Sequence, residues 1–174
     1  MAKLKVPVGP GDHAQGRADA PVTLVEYGDY ECPHCGHAHP IVKALQKRFG
    51  SQLRFVFRNF PLREIHPHAE AAAEAAEFAA TQDKFWEMHD LIYENQQDLS
   101  DELLSDLAKR LKLDARELAK ALEIGEFAER VKKDFSGGVR SGVNGTPTFF
   151  INGQRHDADF ELDTLGRAIS EALM

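Results

Sequence analysis

Apolar positions along the chain fall into three stretches with different periods. In the first, Val22-Thr23-Leu24-Val25-Glu26-Tyr27 is a β-branched, apolar run entered through Pro21. Its hydrophobicity is nearly continuous, as in a strand buried on both faces of a sheet. Only Glu26 breaks it. A short polar stretch and the tetrad Cys32-Pro33-His34-Cys35 follow, after which Ile41, Val42, Leu45 and Phe49 recur at helical spacing. Gly50 closes that helix as a cap. Leu53-Arg54-Phe55-Val56-Phe57 then alternates and reads as a second strand. Strand, helix and strand in this order predict a right-handed βαβ unit with the cysteines at the entrance of its helix.

From Leu62 to about Gly138 the pattern is helical throughout. His68 to Ala80 is rich in alanine and glutamate, and Lys84 to Glu94 sets Phe85, Met88, His89 and Ile92 on one stripe. Ser100 and Asp114 each stand where a capping side chain opens a helix. A last helix runs from Glu126 to about Ser141, weakened by Gly137 and Gly138. The third stretch returns to strands. Thr148-Phe149-Phe150-Ile151 is followed by Asn152-Gly153, a strong hairpin signal, and Gln154-Arg155-His156 begins the return. Phe160 to Met174 carries Leu162, Leu165, Ile169 and Leu173 on one face of a terminal helix. The order βαβ, helices, ββα predicts one α/β domain whose core is 20–62 with 139–174, and whose insertion, 63–138, is all-helical.

Composition narrows the function. With 28 acidic and 21 basic residues the net charge is −7, the wrong sign for a nucleic-acid binder. No apolar run reaches the roughly 18 residues of a membrane span, so no membrane insertion is expected. The start, Met1 to Asp12, has basic residues but no apolar stretch behind them, unlike a secretory signal. A cytoplasmic location is therefore the expectation, a periplasmic or other extracytoplasmic one being the alternative if a leader was removed. Two cysteines exclude both a multi-disulfide scaffold and an all-cysteine zinc site in one chain.

Those two cysteines carry the chemistry. At a helix start the first backbone N–H groups are unpaired and the dipole is positive, so a thiolate at Cys32 is stabilised, while Cys35 lies one turn inward. A free thiol of pKa about 8.5 is only roughly 3% ionised at pH 7. Lowering it by about three units multiplies the thiolate some thirtyfold, but intrinsic nucleophilicity falls by a similar factor at a Brønsted slope near 0.5. The gain is instead a better leaving group and a reduced form stabilised by about 2 kcal/mol at pH 7, on the order of 40–50 mV towards an oxidising couple. Asp29 and Glu31 are nearby negative charges that act the other way. Cys32, Cys35, His37 and His39 also form a zinc-type donor set, but the two histidines lie about 200° apart around a helix. No metal and no bound cofactor is expected.

Cys32-Pro33-His34-Cys35 between strand and helix, together with Gly145-Thr146-Pro147-Thr148 before a late strand, resembles the DsbA-like branch of the thioredoxin superfamily. Glu26 to Cys35, Phe60-Pro61-Leu62, Lys84-Phe85-Trp86 and Gly142 to Thr148 all look like motifs of that family, and the likeness covers nearly the whole chain. The resemblance implies a thioredoxin-like fold and a thiol–disulfide oxidoreductase or protein-disulfide isomerase acting on protein or small-molecule thiols and disulfides. A separate redox partner would return the pair to its starting state. Cys32 would attack, Cys35 would resolve, and Pro33 and His34 would tune the pair, His34 through a hydrogen bond from its imidazole. Glu26 would relay protons beneath Cys35. Pro147 would be a cis-proline against the cysteines, with the Thr146 backbone pairing with substrate. A glutathione-dependent isomerase or transferase on the same fold is the alternative, as is a non-catalytic redox-sensing or metal-binding module.

Other candidates read more plainly. Trp86, with Phe85 and Met88, has the spacing of packing between insertion and core. His66-Pro67-His68 reads as a solvated helix start, the acidic run from Ser100 to Asp106 as an exposed face, and Arg58 and Arg63 as possible electrostatic contacts for substrate.

Overall fold

The computed structural model describes residues 2–174. Along them the chain forms β1 (His13–Gln15), β2 (Val22–Gly28), α1 (Pro33–Phe49), β3 (Leu53–Asn59) and then the helices α2 (Ala69–Ala80), α3 (Phe85–Glu94), α4 (Asp101–Arg110), α5 (Ala115–Ile124) and α6 (Ala128–Arg140). It closes with β4 (Thr148–Ile151), β5 (Gln154–Arg155) and α7 (Leu162–Ala172). The sheet order is β1-β3-β2-β4-β5. β2 and β3 run parallel, joined across α1, whereas β4 lies antiparallel to β2 and β5 to β4. This is an α/β fold of the thioredoxin-like kind, with α2 to α6 between β3 and β4.

β2 is central, which is why its sequence shows no polar face. Val22, Leu24 and Glu26 point to one side, where a large core unites the sheet with α1, α7 and much of the helical segment. Val25 and Tyr27 point to the other, into a smaller core with Val56, Phe60, Val143 and Phe150. The helix ends follow their capping residues. Ser100 accepts from the Leu103 amide at 3.1 Å, and Asp114 from Arg116 at 2.9 Å. In the hairpin, Asn152 and Gly153 take the left-handed φ values of 47° and 85° that a two-residue turn demands. Trp86 packs among Phe55, Phe85 and His89.

β1 had no signal in the hydrophobic pattern, because three residues cannot establish a period. Tertiary partners hold it there. Arg58 is 3% exposed and its guanidinium grips Asp12 at 2.8 and 2.9 Å, reaching also the Val6 carbonyl and the Tyr27 hydroxyl. Arg58 is thus a buried clamp for the N-terminal segment. It is not free to meet a substrate, whereas Arg63 is exposed.

Candidate active site

Cys32 is the N-cap residue of α1, with φ −70° and ψ 122°, and Pro33 takes the first helical position, where its missing N–H leaves no bond unmade. Cys35 lies one turn inward and is wholly buried, while Cys32 keeps 4% of its surface. The two are unbridged. Cys32 Sγ rests 3.5 Å from the carbonyl oxygen of Thr146, and the Asp29 amide donates to Cys35 Sγ at 3.4 Å. The Thr146–Pro147 peptide is cis. The turn before β4 and the start of α1 therefore meet at one sulfur atom.

The electrostatics of the two thiols diverge. Cys32 is held down at about 5, first by a hydrogen bond from the Cys35 thiol and then, against the opposing effect of burial, by Thr146 and by the backbone amides of Cys35 and His34. Thr146 Oγ1 is buried with no partner of its own, which leaves it available to a thiolate. Cys35 is pushed well above the usual thiol range by burial, by its bond to Cys32 and by the nearby Glu26. His34 contributes its amide. Its imidazole is exposed and makes no hydrogen bond to the thiol among the described residues, so the side-chain donor expected from the sequence is replaced by the backbone of the first turn.

Glu26 lies on the same sheet face as Leu24, 3% exposed and without a cationic partner among the described residues. Burial, with the charge of Cys32 as a second cause, raises it to about 8, so near neutrality it is an acid holding its proton. Gly28 makes the room. A Cβ there would stand 2.7 Å from Glu26 Oε2 and meet the Phe57 ring.

A family profile described as Thioredoxin matches residues 9–171. The chain belongs to the thioredoxin family. BdbD from Bacillus subtilis, in its oxidised crystal structure, superposes with a TM-score of 0.88 at 31% identity, over 99% of this chain and 98% of that one. A thioredoxin-like oxidoreductase from Silicibacter pomeroyi superposes with a TM-score of 0.80 at 25% identity, over 95% and 94%. A protein named Na(+)/H(+) antiporter NhaA 1 from Salinispora arenicola is 46% identical over 170 residues, which are 97% of this chain and 26% of that protein. The chain thus spans about a quarter of the length of the curated relatives it matches.

In this thioredoxin-family chain the acids flanking the cysteines do not act as free charges. Asp29 is 1% exposed and accepts from the Glu31 amide at 2.8 Å, the Leu62 amide at 2.9 Å and His66 Nδ1 at 2.7 Å. Glu31 accepts from the His68 amide at 2.6 Å. Neither ranks among the leading causes that set Cys32. His66, read from the sequence as solvated, is an anchor for Asp29. The zinc-type set disperses as well: His37 pairs with the exposed Glu161 and His39 turns towards Asp90. Gln96 carries no motif that could have announced it. Its amide donates to the carbonyls of Tyr30 and Cys32 at 2.9 and 2.8 Å, approaching so closely that a Cβ on Gly36 would meet it at 2.1 Å.

Proposed function

We propose that the protein is a thiol–disulfide oxidoreductase that exchanges disulfides with protein thiols through Cys32 and Cys35. The observation that carries this reading is the split between the two sulfurs: Cys32 at a helix N-cap with a pKa of about 5, and Cys35 buried beneath it and held protonated. In the donating direction a substrate thiolate attacks Cys32 Sγ of the Cys32–Cys35 disulfide. The S–S bond breaks, Cys35 leaves as a thiolate, and Glu26, still protonated near neutrality, supplies the proton it takes up. The substrate's second thiolate then attacks its own mixed-disulfide sulfur and expels Cys32. Two electrons have passed from substrate to protein, and the expelled thiolate is stable as it stands. The Thr146 backbone offers an edge along which an extended substrate can lie, and Pro33 and Pro147 shape that approach.

A pKa near 5 stabilises the reduced form by about 2 kcal/mol at pH 7 after allowance for solvent at the sulfur, roughly 40–50 mV towards disulfide donation. Such a pair does net work where thiols are not kept reduced, which favours an extracytoplasmic setting over a cytoplasmic one. A second protein must then reoxidise it. The antiporter named in the relatives is a protein of which this chain covers 26%, and no described helix of this chain is long and apolar enough to cross a membrane. Both cysteines of an exchange pair are present, which supports disulfide exchange over a glutathione transferase reading.

The test is oxidation of a dithiol peptide by the preformed Cys32–Cys35 disulfide at pH 7, with the equilibrium potential measured against glutathione. Stoichiometric oxidation, abolished in Cys32→Ser, and a potential above that of thioredoxin (about −270 mV) are expected. A wild-type protein that exchanges with no dithiol overturns the reading.

A further inference from the structure

A second group of reactive side chains lies off the exchange site, between α1 and α3. His39, His89 and Asp90 each present one metal-ligating atom within 4.8 Å of the others, and among the described residues no other three such side chains do so. The first comes from the helix that bears the cysteines. His39 follows Cys35 by four residues and so projects from the same face of α1. His89 and Asp90 are neighbours on α3.

Three features distinguish this cluster from a chance meeting of polar groups. Asp90 Oδ2 is engaged by Lys43 at 2.8 Å, but Oδ1 is buried with no hydrogen-bond donor. That oxygen stands 3.6 Å from His39 Nε2, too far for a hydrogen bond. Bonds of about 2.0–2.1 Å from one tetrahedral ion set its ligand atoms roughly 3.3–3.4 Å apart, so this gap nearly fits an ion. Second, His89 is 3% exposed and its Nδ1 meets the Tyr30 hydroxyl at 2.8 Å. The contact fixes the ring, and in the tautomer with the proton on Nδ1 it leaves the lone pair on Nε2, as an outer partner does for a ligating histidine. Third, Tyr93 stacks on His39 with ring centroids 5.0 Å apart, and the His39 side chain retains only 11% of its surface. The ligands are held by aromatic walls. Lys43 is the opposing feature, a cation on the same carboxylate, but its side chain is 42% exposed and free to swing into solvent.

We propose that His39, His89 and Asp90 bind a divalent transition-metal ion of the zinc class, clamping α1 to α3 and leaving a fourth position for water. Two imidazoles and one carboxylate suit zinc and its neighbours, whereas calcium and magnesium require oxygen donors throughout. The cysteines take no part, since Cys32 Sγ faces Thr146 and Cys35 Sγ accepts from Asp29.

The experiment uses the full chain carrying Cys32→Ser and Cys35→Ser, so that thiolates cannot account for the metal. Stripped of ions, it is titrated with Zn2+ against a chromophoric chelator. One equivalent is expected to bind, with Asp90→Asn and His39→Gln each weakening it at least tenfold while the circular dichroism is unchanged. His37→Gln, on the exposed side of α1, leaves affinity as it was. Zn2+ is also expected to raise the melting temperature of the cysteine-free chain and not that of its Asp90→Asn form. Failure to take up stoichiometric Zn2+, or uptake indifferent to both ligand substitutions, overturns the proposal. Because the cysteines are absent, neither result bears on disulfide exchange.

Discussion

Glu26 and Asp29 lie three residues apart in one strand and its exit, and their exposures, 3% and 1%, are nearly equal. Their surroundings are opposite. Asp29 receives two backbone amides and an imidazole, whereas Glu26 receives no hydrogen bond among the described residues and is raised to about 8 by burial and by the charge of Cys32. Burial by itself therefore does not decide what a carboxyl group does beside the cysteine pair; the donors aimed at it do. Asp29 ties the loop at residues 62–66 to the end of β2. Glu26, with no donor aimed at it, is raised to about 8 and bears on Cys35 through its charge alone.

The two substitutions that remove these groups are expected to move stability in opposite directions. Asp29→Ala strands two amides and His66 in a nearly dry site, and such losses cost about 3–5 kcal/mol. Urea unfolding measures it, and a loss below about 1 kcal/mol would mean that water replaces the carboxylate without difficulty. Glu26→Gln acts the other way. A carboxyl whose pKa is raised on folding, from 4.5 to about 8, binds its proton more tightly in the native state. Its presence therefore weakens the protein progressively as pH rises through that window. At pH 7 the amide is expected to stabilise the reduced protein by about 3 kcal/mol, the difference vanishing near pH 4 and levelling above pH 8. Comparison of the two reduced proteins across pH cancels the titration of Cys32. A difference that stays flat with pH would show that Glu26 is ionised throughout. The same variant is expected to slow the step in which Cys35 leaves.

A smaller effect is expected at the other thiol. Thr146 Oγ1 has no partner except the sulfur of Cys32 as thiolate. Thr146→Val preserves the shape and removes the donor, so the pKa of Cys32 is expected to rise from about 5 by about one unit, the worth of one hydrogen bond. Thiolate absorbance followed against pH reads this directly, and no change would transfer the stabilisation to Cys35 and the helix amides alone.

Much of this arrangement was legible in the residues. The βαβ and ββα halves showed in their periods, the caps Ser100 and Asp114 in their residue types, and Glu26 as the one charge in an otherwise apolar strand. What stayed hidden was fixed by tertiary contact. β1 is three residues long and is placed by pairing with β3. Arg58 looked like a surface cation because nothing local announces that Asp12 will be folded back onto it. Asp29 and Glu31 looked like charges opposing a thiolate because their partners, His66 and the His68 amide, lie more than thirty positions on. Gln96 stood in a stretch with no pattern, yet it holds two carbonyls of the cysteine loop.

The smallest effect is expected at the residue that the sequence placed inside the pair. The His34 side chain is exposed, and what it gives Cys32 is its backbone N–H. Alanine has the same N–H and a higher helix propensity, so His34→Ala is expected to leave the first turn of α1 intact. It is also expected to shift the pKa of Cys32 by less than about half a unit. Set beside Thr146→Val, this separates two ways of holding a thiolate: a buried hydroxyl with one task, and a backbone that any residue but proline supplies. A rise of two units in His34→Ala would reverse that assignment, making the imidazole the donor and placing it over the sulfur in solution. Equal, small shifts in both variants would instead leave the Cys35 thiol as the group that holds Cys32 down, since its hydrogen bond survives each change.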